Sequence, residues 1–84
     1  MSDLTDMVNI GREMARKLRA VGITSAERLR EEGAVGAYLR LKTVYPKVCL
    51  VHLYALEGAV RGVDFNALPE EVRRELKSFS DSLR

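Results

Sequence analysis

The chain has 84 residues, room for one domain and one core. It is 46% hydrophobic and 31% charged, which excludes a disordered or low-complexity chain. Its net charge of +2 falls far short of a general basic bias, so any role for charge has to be local.

Read in chain order, Leu4, Met7 and Val8 have i, i+3, i+4 spacing and predict a short N-terminal helix. Asn9-Ile10-Gly11 stops it. Ile10, Met14, Leu18 and Val21 form the apolar stripe of a second segment, with Ala15 beside it, and Gly22 ends that segment. "TSAE" (Thr24 to Glu27) fits a capping box in which the Thr24 hydroxyl accepts from the Glu27 amide. A helix of about two turns should follow, with Ala26 and Leu29 inward and Gly33 as its stop. Another helix runs from Ala34 to about Val44, carries Val35, Tyr38, Leu39 and Leu41, and ends at Tyr45-Pro46. From Lys47 to about Val60 the chain is apolar nearly all round, the pattern of a buried helix closed by Gly62. After "GVDFNAL", Pro69 suits a first helical position, and Val72, Leu76, Phe79 and Leu83 form the final stripe. The expected fold is all-α: a compact single domain, 1–84, of five helices after the short N-terminal one.

The turn at Met7-Val8-Asn9-Ile10-Gly11 carries the functional signal. An apolar-x-Gly turn followed by a helix is a helix-hairpin-helix-like pattern. A tight turn of this kind leaves amide N–H groups at a helix N-terminus, where they and the helix dipole favour a phosphate oxygen. Asn9 stands where the first glycine of such hairpins is usual, and asparagine tolerates left-handed backbone. Ile10 would plug the core. Gly11 is expected at strained or closely approached backbone, and Arg12 replaces the proline that often follows. Arg12, Arg16, Lys17 and Arg19 against Glu13 give residues 11–21 a net +3, and Arg40, Lys42 and Lys47 give residues 34–47 another +3. Arg12, Arg16 and Arg19 share one helix face. The candidate nucleic-acid contacts are therefore Asn9, Ile10, Gly11, Arg12, Arg16, Lys17 and Arg19. The structural alternative is a solvated face balanced by a Glu13–Lys17 pair.

Other chemistry is sparse. Cys49 is the single cysteine, so no intrachain disulfide can form. Cys49 and His52 have half of a zinc-site spacing and no second half, and read better as a buried thiol and a core imidazole. No nucleophile–base set or paired-carboxylate cleft stands out, so no enzyme, metal or cofactor is expected. The tyrosines 38, 45 and 54 read as core or rim rather than a stacking platform. The N-terminus shows no signal-peptide pattern and the longest apolar run is too short for a membrane span, so a cytoplasmic location without membrane contact is the expectation.

Three stretches, "NIGREMARKLRAVGITSAERLREEGAVGAYLRLK", "CLVHLYALEGAVRG" and "LPEEVRREL", resemble in order and spacing the C-terminal domain of the TfoX/Sxy family of bacterial competence regulators. The resemblance runs from about Leu4 to Leu76. It implies a helical domain with a helix-hairpin-helix-like element, a link to DNA uptake and transformation, and no catalytic residues. The family's N-terminal domain has no counterpart in this chain. Two partner classes follow: duplex DNA, held non-specifically through its backbone, or a protein partner or second copy of the chain with no nucleic-acid contact.

Overall fold

Four α-helices, α1 (Arg12–Ala20), α2 (Ala26–Val44), α3 (Leu50–Arg61) and α4 (Glu70–Ser82), and two 3-10 turns at Leu4–Asp6 and Phe65–Ala67 make up the computed structural model, which describes residues 3–83. No strand occurs among the described residues, as expected of an all-α fold. The radius of gyration, 11.7 Å, matches a compact chain of this length.

Two expected boundaries hold for local reasons. Gly22 takes φ 90 and closes α1: its own N–H bonds to the Arg19 carbonyl and that of Ile23 to the Leu18 carbonyl. This doubly bonded glycine ending satisfies two carbonyls that the helix leaves open and turns Ile23 fully into the core. Gly62 (φ 76) ends α3 in the same way, with the Val63 N–H on the Gly58 carbonyl at 2.9 Å.

Several expectations need correction. There are four helices rather than five: the backbone does leave helical geometry at Gly33 (φ 80, ψ 160), as expected, but no linker follows, and the two helical stretches abut as one kinked element, α2. The short N-terminal helix is a three-residue 3-10 turn. The cap of α2 is Ser25, not Thr24. With Ile23 pulled inward, Ser25 is the buried residue in extended backbone, and its hydroxyl accepts from the Arg28 N–H at 3.2 Å. Pro69 caps α4 and Glu70 is its first helical residue.

α2 and α3 form the main packing pair, and α1 and α4 lie against them. Leu18, Leu29, Leu41, Leu53 and Leu56 fill the centre with Tyr38, the largest fully buried side chain, whose hydroxyl lies 3.3 Å from the Ser80 hydroxyl of α4. The reading of the third helix as buried all round is also corrected. Val48 enters the core before the helix begins, Cys49 becomes its N-cap, and that register leaves Val51 58% exposed. On α2, Val35 and Leu39 are likewise exposed.

Candidate nucleic-acid interface

The turn ahead of α1 is built around Asn9, the one non-glycine residue with positive φ (70) among the described residues. Its carboxamide is wholly engaged across the fold. Nδ2 donates to the carbonyls of Ala55 (3.3 Å) and Val63 (3.0 Å), and Oδ1 accepts from the Phe65 N–H (3.3 Å). The asparagine therefore supplies the left-handed corner and also ties it to Ala55 in the middle of α3 and to the Val63–Phe65 segment that follows that helix. Ile10 is buried, as its role as a plug requires. Asn9 and Ile10 position the turn; their side chains face the protein.

Gly11 differs from expectation. Its φ of −87 and ψ of −178 are ordinary extended backbone, and a Cβ placed on it would meet nothing within 4 Å. The strained position is Asn9, so the glycine at 11 is not required by conformation or space. Its effect is as an N-cap with no side chain: no side-chain acceptor covers the first-turn amides of α1.

Those amides border a groove of about 360 Å³ between α1 and α3, lined by Gly11, Arg12, Glu13, Lys17, Val51 and His52 among others. The basic residues around it are not equivalent. Arg12 is exposed and has no hydrogen-bond or ion-pair partner among the described residues. Arg16 lies against Glu13; that hydrogen bond holds the Glu13 carboxyl below the ordinary carboxylate value and raises Arg16. Arg19 reaches Asp3 at 2.5 Å. The Asp3 carboxyl is lowered first by the Thr5 hydroxyl, 2.6 Å away, and further by Arg19. Lys17 does not pair with Glu13: its ammonium sits 5.4 Å above the Tyr45 ring, at the turn between α2 and α3. Arg16 is one turn-step nearer to Glu13 (i, i+3), and Lys17 is drawn off by the aromatic face. Both ion pairs are solvent-exposed, so they hold their arginines only weakly.

His52 and Cys49 also depart from the expected buried pair. Cys49 is exposed at the N-cap of α3. His52 stands at the third helical position and its Nδ1 accepts from the Cys49 N–H at 3.0 Å, so the two form a capping box. That bond needs Nδ1 unprotonated, which leaves the proton of the neutral ring on Nε2. Burial, and then the charge of Lys17, hold the imidazole pKa below its usual value. Among the described residues no group of three His, Cys, Asp or Glu is placed to hold a metal. No helix among them is long and apolar enough to cross a membrane.

Sequence reasoning missed His52 as a groove residue, and it missed Gly58 beneath Asn9. A Cβ at Gly58 would lie 2.4 Å from Asn9 Nδ2 and 2.6 Å from the Val63 carbonyl oxygen. The capping pattern around His52 has a histidine where glutamate or glutamine is usual. Gly58 lies in mid-helix, where only the partner's position reveals the need for it.

Comparison with known proteins agrees with this architecture. Two crystal forms of a Listeria monocytogenes protein of unknown function superpose with TM-scores of 0.96 (triclinic) and 0.95 (tetragonal) at 38% identity. Both cover 98% of this chain, and the match spans 93% and 100% of those chains. Protein Sxy of Escherichia coli K12 is 38% identical over 80 residues, 95% of this chain and 38% of Sxy. The mitomycin resistance protein McrB of Streptomyces lavendulae is 41% identical over 44 residues, 52% of this chain and 42% of McrB. The chain thus matches about two fifths of the length of each of these two relatives. The family model for the TfoX C-terminal domain matches residues 1–80. The chain belongs to the TfoX C-terminal domain family.

Proposed function

We propose that the domain is a non-enzymatic regulatory module of the competence type that contacts duplex DNA through its hairpin, weakly and without sequence preference. The observation that carries this reading is the first turn of α1. Its amides have no side-chain cap, and they open onto a groove whose rim holds Arg12 and Lys17. Amides and cations of this kind suit a phosphate oxygen and carry no information about bases. Kinship with Sxy supports a regulatory role. Titration with short duplex DNA at low salt, followed by amide NMR, tests the reading. Shifts should cluster at residues 9–19, and the absence of any shift there at low salt would refute it.

A second reading, protein contact or self-association, is favoured by one feature. A groove of about 370 Å³ between α2, α3 and α4 has Val51 and Leu83 on its rim, both more than 40% exposed. Sedimentation over a range of concentrations would detect self-association through it.

A further inference from the structure

The cations near the hairpin divide into two sets. Arg16 and Arg19 carry carboxylates with them, Glu13 and Asp3, so a phosphate approaching that edge of α1 also meets two anions. Arg12 has no such companion; Lys17 sits over the Tyr45 ring at the α2–α3 turn, which Arg16 also approaches, but with Glu13 held against it. That turn belongs to the longest stretch of the chain without an acidic residue, between Glu32 and Glu57, which contains Arg40, Lys42 and Lys47.

The three cations of that stretch have different surroundings. Arg40 points back to Glu32 (3.1 Å) and the Val21 carbonyl (3.2 Å), away from the groove. Lys42 closes the turn by donating to the carbonyls of Val48 (2.8 Å) and Pro46 (3.4 Å). Its charge still acts on the groove, because Lys42 and Lys17 both oppose protonation of His52 there. Lys47 is exposed and has no hydrogen-bond or ion-pair partner among the described residues. Glu13 is the single carboxylate lining the groove, and it is occupied by Arg16.

We propose that the phosphodiester backbone of DNA crosses this acid-poor face, where α1 meets the α2–α3 turn, and is held by Arg12, Lys17 and Lys47 rather than by the Arg16–Arg19 edge of α1. The inference rests on the DNA reading above and relocates its contacts. It adds Lys47, from an element outside the hairpin, and makes Arg16 and Arg19 bystanders. The face meets a negative backbone with free or softly held cations, and no ion pair has to be broken on contact.

Two variants separate the alternatives. Lys17→Gln with Lys47→Gln removes two of the proposed contacts. Asp3→Asn with Glu13→Gln, Arg16→Gln and Arg19→Gln neutralises both ion pairs and leaves the net charge unchanged. Binding of a short labelled duplex, measured by anisotropy at several salt concentrations, should weaken roughly tenfold or more in the first variant, with its log–log salt slope flattened by about 1.8. The second variant should stay within about twofold of the parent. The reverse pattern would overturn the inference while leaving hairpin binding of DNA intact. No binding by the parent chain at low salt would remove the DNA reading itself, and this inference with it. Should the first variant unfold on circular dichroism, the parent decides: DNA-induced amide shifts must include residues 45–52, and shifts confined to 16–20 would overturn the inference.

Discussion

The carboxamide of Asn9 rests directly on Gly58: a Cβ at 58 would come within 2.4 Å of Asn9 Nδ2. The turn ahead of α1 and α3 are therefore coupled by one residue with a polar side chain and one with none. Gly58→Ala should destabilise the fold by about 1–3 kcal/mol, because the methyl meets both the amide and the Val63 carbonyl oxygen and the docked turn has to shift. Urea denaturation measures this, and an unchanged midpoint would mean that the turn is not held against the helix.

Asn9 does two things, and two substitutions separate them. Asn9→Gly keeps the left-handed corner at φ 70 and loses the three hydrogen bonds to Ala55, Val63 and Phe65. Asn9→Ala loses the bonds and also strains the corner. Alanine should cost roughly 1 kcal/mol more than glycine by thermal or urea unfolding, the difference that left-handed backbone imposes on a residue with a Cβ. Equal stability of the two variants would show that the corner is not conformationally demanding.

Gly33 kinks α2 at φ 80, ψ 160, a region that is essentially restricted to glycine. Although a Cβ there meets nothing within 4 Å, Gly33→Ala should destabilise by about 1–3 kcal/mol. Gly11 is the counter-case. Gly11→Ser fits its extended backbone and adds a hydroxyl able to cap the first turn of α1, for a gain of a few tenths of a kcal/mol. If those amides bind phosphate, the same serine should weaken DNA binding. A more stable variant with undiminished binding would exclude the amides from the contact.

The His52 imidazole has its pKa lowered by burial and by Lys17. Near its unperturbed value of about 6.5 the unfolded chain then binds more protons than the folded one, so stability rises with pH through this range. The loss begins as pH falls below about 6.5 and continues down to the lowered folded value. His52→Gln retains an acceptor for the Cys49 N–H and removes the titration. Urea midpoints at about pH 5 and about pH 7.5 should differ less in this variant than in the parent. An identical pH dependence would place the effect elsewhere.

Much of this fold was legible because its signals are local. Gly22, Gly62 and the proline after Tyr45 end helices by their own backbone preferences, and the left-handed conformation of Asn9 follows from its place in the turn. What was not legible depends on distant partners. The break at Gly33 is legible as a helix end, but not that the next helical stretch starts at once without a linker, because that depends on how both stretches pack. The sterically constrained glycine is Gly58 rather than Gly11; it sits forty-nine residues beyond Asn9 in the chain and shows its constraint only when the turn is docked on it. The spacing of Arg12, Arg16 and Arg19 predicted a shared face, but not that Asp3 would come to Arg19 or that Tyr45 would draw Lys17 away from Glu13.

The most direct measurement is the salt dependence of binding to two duplexes of unrelated sequence. A domain that touches only phosphates should bind both equally, at micromolar affinity or weaker, with log K falling against log salt at a slope of about −2.7 for three contacts. Binding that ignores salt, a strong preference for one duplex, or no binding to either at the lowest salt would contradict a phosphate-backbone role for this domain.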